Sequence, residues 1–297
     1  MDKLLIKQAL FFGSYLVFPV LAWLAWRLRR PRGRLIAGAA MAALLVFVWA
    51  RFVEPQMLRV RETTLPGTGA RATIALVSDI HLGVYKDTGY LRRVVDRLNT
   101  LQLDAVLIAG DLTYEPGGAP LREMFAPLAE LRAPVHAVLG NHDQQAPGPD
   151  IDAELRAALA ALGVEVIEGR VLVDPVGIRW AGLGDRWAGK DDPTFLRRFP
   201  DPARPTFVLA HNPDSAIELS PTDAGLVLAG HTHGGQIRIP LLYPHVIPSV
   251  YGFDRGERLF ATPRGTVRVF VTSGLGEIGL PMRLFNPPTI DVLHLRP

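Results

Sequence analysis

The 297-residue chain contains no cysteine. That absence excludes disulfides, thiolate metal sites and a cysteine nucleophile together, so any metal must be held by nitrogen and oxygen. The chain also lacks a broad surplus of positive charge. The net charge is +3, but Arg27, Arg29, Arg30, Arg32 and Arg34 fall within eight residues, and setting those five aside leaves −2 for the remainder. The basicity is therefore local and bears on topology; with no basic strip interleaved with aromatics, a nucleic-acid partner is not expected. No internal repeat or low-complexity tract is present. An apolar fraction of 48% is enough for a sizeable core, which argues against a disordered chain.

Charge is missing altogether from residues 8–26, QALFFGSYLVFPVLAWLAW. As a helix these 19 positions span about 28 Å, close to a hydrocarbon core of about 30 Å. Pro19 is compatible with such a span. A cleaved signal peptide fits less well, because the stretch is long, only Lys3 and Lys7 precede it, and no small-x-small site follows. A second apolar run, residues 35–50, ends at Arg51, whose side chain can snorkel and extend a helix through Val53. We read residues 1–53 as a transmembrane helical hairpin in an inner or plasma membrane. Positive-inside logic puts the arginine turn in the cytoplasm and everything after residue 54 outside. Trp23, Trp26 and Trp49 lie near the expected interfaces. If the second run only lies on the membrane, the topology inverts and the large domain is cytoplasmic. Residues 54–71, polar and carrying Pro66, Gly67 and Gly69, read as a linker to a domain over 72–297.

Within that domain short β-branched runs stop abruptly in polar residues and helical patterns follow. Residues 72–78 lead to Asp79-Ile80-His81, 104–109 to Gly110-Asp111, and 134–139 to Gly140-Asn141-His142-Asp143, with helix-spaced apolar residues over 89–101 and 119–131. This is an α/β alternation with buried strands. Further strands are expected at 164–167, 171–173, 177–183, 206–210, 225–229, 236–239, 267–272 and 290–295. Two of these also end in polar clusters, His211-Asn212-Pro213-Asp214 and Gly230-His231-Thr232-His233-Gly234-Gly235-Gln236. Ligands in open α/β folds collect at the carboxyl ends of strands, and five of the eight histidines sit at such ends. His136, inside its strand, and His245 and His294 read as structural. Asp, Asn and His without thiolate suit two divalent ions, and imidazole draws the choice toward Mn, Fe or Zn. Two such ions about 3.5–4 Å apart stabilise in-line displacement at phosphorus. Asp111, behind a glycine that lets the chain turn, is the natural bridge.

Asp79-x-His81, Gly110-Asp111, Gly140-Asn141-His142-Asp143, His211 and Gly230-His231-x-His233 resemble, in order, the motif set of the calcineurin-like metallophosphoesterases. Ser78 to Gly83, the Gly230 to Gln236 run and Gly274 to Pro281 further resemble the membrane-associated bacterial branch, some of whose members hydrolyse UDP-2,3-diacylglucosamine or other phosphodiesters. The resemblance implies a four-layer α/β/β/α sandwich behind the hairpin. It also implies Asp79, His81, Asp111 and His233 on one metal, and Asp111, Asn141, His211 and His231 on the other. His142 would touch the scissile phosphate and protonate the leaving oxygen, and Asp143 would orient and polarise His142.

The substrate expected is a phosphoester, with a lipid-linked one favoured by the hairpin. The run from Ile237 to Pro248 is apolar for a loop leaving such a motif, and reads either as a lip for a lipid-linked substrate or as a covered proline-rich loop. Arg255 and Arg258 read either as phosphate-neutralising or as solvated. Competing functions are a membrane scaffold or sensor with a structural metal, which the intact Asn141-His142-Asp143 cluster disfavours, and a protein phosphatase or nuclease. A UDP-sugar is cytoplasmic whereas the hairpin puts the domain outside, so topology and that substrate pull in opposite directions.

Overall fold

Runs of four to six apolar residues without helical periodicity become strands buried on both faces. The computed structural model describes residues 3–144, 150–175, 177–198, 201 and 204–297. The first half carries α1 (Lys3–Gly13), α2 (Val17–Arg27), α3 (Arg34–Val48), β1 (Arg59–Leu65), β2 (Ala72–Val77), β3 (Leu82–Gly83), α4 (Thr88–Asn99), β4 (Ala105–Ala109), β5 (Thr113–Tyr114), α5 (Leu121–Met124) and β6 (Val135–Val138). The second half carries α6 (Asp152–Ala161), β7 (Val164–Val166), β8 (Val171–Val173), β9 (Arg179–Gly182), β10 (Thr206–Leu209), β11 (Leu226–Ala229), β12 (Gly256–Thr262), β13 (Gly265–Val271) and β14 (Thr289–Leu295).

Two six-stranded sheets, ordered β1-β14-β2-β4-β6-β7 and β12-β13-β11-β10-β9-β8, pack face to face. Alternation within each strand decides which side chain enters which core. Ile74 and Leu76 of β2 and Leu107 of β4 meet Trp180, Phe207, Leu209 and Leu228 between the sheets. Ala75, Val77, Val106 and Ile108, one residue out of phase, pack under the helices. α4 answers with Tyr90, Leu91, Val94, Val95 and Leu98 on one stripe, and Asp87 caps it by accepting from the Tyr90 amide at 2.9 Å. On the far face of the second sheet Val208 and Val227 are covered by Leu196, Ala216 and Leu219. The layer order is thus the expected α/β/β/α, but the described residues of the fourth layer form 3-10 turns over Pro193–Arg198 and Pro213–Glu218 instead of α-helices.

Some boundaries differ from the sequence reading. Residues 54–71 are not a free linker: β1 pairs in parallel with β14 from Arg59↔Thr289 to Leu65↔Leu295, and Leu65 is buried between the sheets. Its polar residues are tolerated because it is an edge strand. Residues 236–239 form no strand, only a single bridge between Ile237 and Leu284, since left-handed Gly235 and Gln236 before it and Pro240 after it break the ladder. β12, polar on its open side, was not anticipated and pairs antiparallel with β13. The helical pattern at 119–131 splits into α5 and a 3-10 turn over Ala126–Glu130, where Pro127 removes a donor.

α1 and α2 run on through one 3-10 turn at Ser14–Leu16, and α3 continues through a widened turn at Trp49–Val53. Pro19 falls in the first turn of α2, immediately after that 3-10 turn. Leu4–Arg27 and Arg34–Gln56 are each long and apolar enough to cross a membrane. The open end of this hairpin rests on the large domain. Phe11 stacks on Tyr85 at 5.6 Å, Lys7 pairs with Glu115 above the Tyr114 ring, and the Arg283 amide donates to the Ala50 carbonyl at 2.9 Å.

Candidate active site

Parallel pairing aligns β2, β4 and β6 in the first sheet and β10 and β11 in the second. Their carboxyl ends therefore open on one edge of the sandwich. Asp79 and His81 follow β2, Asp111 follows β4, Asn141 and His142 follow β6, His211 follows β10, and His231 and His233 follow β11. All seven side chains expected to ligate are 0–4% exposed.

Their donor atoms converge in two groups. Around the first, His81 Nε2 lies 3.1 Å from His233 Nε2 and 3.5 Å from Asp111 Oδ2, while Asp79 Oδ1 lies 3.4 Å from His233 Nε2. Around the second, His211 Nε2 lies 3.3 Å from Asp111 Oδ2, 3.0 Å from Asn141 Oδ1 and 3.1 Å from His231 Nδ1. Ligands at about 2.0–2.2 Å from one ion stand roughly 2.8–3.6 Å from each other, and these separations fall in that span, while His81 Nε2 and Asp79 Oδ1 stand wider apart at 4.0 Å. The cluster also leaves Asp79 Oδ1 buried with no hydrogen-bond partner, a cost that a cation removes. Asp111 Oδ2 belongs to both groups.

The atoms turned away from these centres are pinned. His81 Nδ1 donates to the Thr113 carbonyl at 3.1 Å and His211 Nδ1 to the Ala109 carbonyl at 2.8 Å, which turns both Nε2 atoms toward the cluster. Asp111 Oδ1 accepts from the His142 amide at 2.9 Å, and Asp79 Oδ2 from the His231 amide at 3.1 Å. The backbone is bent to deliver them. Nine described non-glycine residues have positive φ, and five are Asp79, His81, Asp111, His231 and His233. Such conformations cost of order 1–3 kcal/mol each and persist only where the surroundings impose them. Gly230 is one source of that imposition: a Cβ there would overlap Ser78 Oγ and crowd Asp79 Oδ2.

Electrostatics follow from burial. Burial pushes the Asp79 carboxyl up to about 7, with the Asp111 charge adding and His211 opposing. Burial lowers His81 and His231 to about 3, the neighbouring His211 adding to the fall of His231, and it holds His233 well below the usual imidazole range. Burial also disfavours the charge on His211, yet the Asp111 carboxylate overrides it and raises His211 to about 10. Three imidazoles are thus kept neutral, the state in which they ligate.

His142 stands beside the cluster, half-buried, its ring edge-on to His81 at 5.2 Å and to Tyr114 at 5.1 Å. Asp143 does not orient that ring directly. Its two oxygens accept from the Leu112, Thr113 and Gly140 amides and the Thr113 hydroxyl at 2.7–3.0 Å, because a carboxylate buried at a loop base is best satisfied by the backbone around it. Asp143 therefore positions the 140–143 loop. Arg255 is paired with Asn286 Oδ1, and Arg258 donates to the Tyr251 and Gly252 carbonyls, so both are engaged within the fold. His136 faces Glu165 at 3.6 Å, away from the cluster.

Other residues at the site carried no readable motif. Trp187, 51% exposed, packs edge-on against His231 at 4.6 Å. Asp185 is buried near His211, and burial raises its carboxyl. Asn286 donates to the His233 carbonyl at 2.6 Å, and its own amide donates to Glu54. These positions are single residues in loops far apart in sequence, and only an apolar Trp in a polar stretch offered a local signal.

Residues 72–235 match the calcineurin-like phosphoesterase family. The chain is 31% identical over 274 residues to the uncharacterized metallophosphoesterase YkuE of Bacillus subtilis, covering 88% of this chain and 93% of that protein. It is 27% identical to the phosphodiesterase YaeI of Escherichia coli, over 86% of this chain and 95% of that one. It is 26% identical to the UDP-2,3-diacylglucosamine pyrophosphatase LpxG of Chlamydia trachomatis, over 85% of this chain and 94% of that one. With the site's geometry, these similarities establish that the chain belongs to the calcineurin-like metallophosphoesterases and is a metal-dependent phosphoester hydrolase.

Proposed function

We propose that the protein is a membrane-anchored two-metal hydrolase of a phosphodiester or pyrophosphate bond. The observation that carries the reading is Asp111 Oδ2, 3.5 Å from His81 Nε2 and 3.3 Å from His211 Nε2, a single oxygen shared by two donor sets. Asp79, His81, Asp111 and His233 would hold one ion, and Asp111, Asn141, His211 and His231 the other. Mn, Fe and Zn suit these donors. When bound, such ions acidify a water and neutralise charge on phosphoryl oxygens.

The chain's own residues supply the rest. The bonds at Nδ1 of His81 and His211 keep the ligand geometry before substrate arrives. Burial lowers the basicity of His142, so a proton on its imidazole is readily given to the leaving oxygen. Asp143, by holding the Leu112, Thr113 and Gly140 amides, keeps His142 at that edge.

The two apolar helices support a substrate met at a membrane. The similarity to LpxG supports UDP-2,3-diacylglucosamine as one such compound, and that to YaeI supports other phosphodiesters. The decisive experiment reconstitutes the purified full-length protein with Mn, Fe or Zn and assays soluble and lipid-linked phosphodiesters and pyrophosphates. Turnover that depends on metal is expected. Stoichiometric metal binding with no turnover on any of them would refute the proposal and leave a structural metal site in a membrane scaffold.

A further inference from the structure

Resting on that hydrolase reading, we infer that an apolar groove beside the metal loop seats a hydrocarbon chain of the substrate. The groove encloses about 490 Å³, and one wall is the loop from Thr232 to Gln236, including His233. This is within the roughly 300–1,000 Å³ typical of ligand sites. Ile239, Leu242, Val246, Ile278 and Leu280 supply its apolar surface. Leu242 is 60% and Val246 68% exposed. Leu241, 85% exposed, is held at φ 71, so an apolar tip is fixed toward solvent beside the groove.

The wall's main side-chain amide turns its donors and one acceptor lone pair back into the fold. Gln236 Nε2 donates to the Ile278 and Leu280 carbonyls, both at 3.0 Å, and Gln236 Oε1 accepts from the Ile278 amide at 3.0 Å. With both Gln236 donors engaged and Ile239, Leu242, Val246, Ile278 and Leu280 lining it, the groove favours hydrocarbon.

Its position links the chemistry to the hairpin. Gly279 in the wall donates to Tyr114 Oη at 3.0 Å, and the Tyr114 ring packs against His142. The Gly279 carbonyl accepts from Tyr85 Oη at 2.6 Å, and the Tyr85 ring stacks on Phe11 of α1. Two consecutive residues make the same connection from the other helix: Arg283 donates to Ala50, and Leu284 donates to the Gln236 carbonyl at 3.1 Å. A lipid whose phosphoester lies at the metal cluster can thus keep a chain in a groove whose wall is bonded to residues at the open end of the hairpin. The occupant is an acyl or alkyl chain attached to the scissile phosphoester.

The test uses full-length, metal-loaded protein in nanodiscs and two p-nitrophenyl phosphodiesters, one with a methyl and one with a dodecyl second ester. Each seated methylene strengthens binding roughly fourfold, so the wild-type kcat/KM for the dodecyl ester should exceed that for the methyl ester by more than about tenfold. Leu242→Asp and Ile239→Asp, at exposed positions, should bring the ratio close to one. A wild-type ratio near one, or an equal fall for both esters in the variants, would overturn the groove while leaving the hydrolase reading intact. If neither ester is turned over, the hydrolase reading is judged by the wider panel of phosphodiesters and pyrophosphates, and the groove is read from binding of dodecyl phosphate against ethyl phosphate by calorimetry. Preference for the dodecyl compound that Leu242→Asp abolishes supports the groove, and equal binding of the two compounds overturns it.

Discussion

Glu54→Ala tests whether the hairpin's exit is part of the metal site. Glu54 is 3% exposed; one oxygen accepts from the Asn286 amide and the other from Trp49 Nε1 at 2.9 Å. Asn286, fully buried, in turn donates to the His233 carbonyl. Removing the carboxylate strands the Asn286 N–H, at a cost of roughly 1–3 kcal/mol. Trp49 is 44% exposed and can turn its N–H to water, so it adds little. If the cost is expressed in the loop carrying His233, metal affinity falls by about 5- to 150-fold, which brackets the roughly 10- to 100-fold found for outer supports of metal ligands. Competition with a chromogenic chelator should show weakening at one of two sites, and Glu54→Gln, which keeps an oxygen acceptor, should recover most of it. Unchanged affinity at both sites in Glu54→Ala, with only a lower Tm, would refute the coupling and leave Glu54 a purely structural residue.

Asp111→Asn should remove the shared anionic bridge, so metal analysis should find both sites depleted and hydrolysis abolished; retention of two ions would contradict a bridging role. His142→Ala should keep its metal and lose about 10²–10⁴-fold in kcat, most strongly for esters with poor leaving groups; loss independent of the leaving group would argue against proton donation. Gly230→Ala should displace Ser78 and Asp79, and overpacking of about 1–3 kcal/mol should appear as a lower Tm together with weaker metal binding. A C-terminal reporter active only outside the cytoplasm should be active if both helices cross the membrane, and inactivity would favour a cytoplasmic site and a UDP-lipid.

Legibility from sequence followed the range of the forces involved. The candidate ligands Asp79, His81, Asp111, Asn141, His211, His231 and His233 were visible because each sits where an apolar run stops, a pattern local to a few residues. Apolar composition and length likewise marked the two helices. β1 and β12 were missed because edge strands owe their order to a partner strand, not to their own hydrophobicity, and β1 finds its partner some 230 residues away. The segment at 236–239 misled for the opposite reason, since its alternating pattern is overruled by a left-handed Gln236 and by Pro240.

By itself the sequence determined the candidate donor set, the absence of thiolate, the α/β alternation and the hairpin's length, all of which depend on residue type and near neighbours. Only the tertiary structure decided that one oxygen of Asp111 lies between two imidazole groups, because that depends on packing two sheets to within a side chain's reach. It alone turned Asp143 to the backbone and brought Glu54, Asn286 and His233 into one chain of hydrogen bonds. It also set the apolar loop after Gln236 beside both His233 and the residues that carry the hairpin. Those relations join residues far apart in sequence, and buried polar groups must find partners wherever the fold brings them.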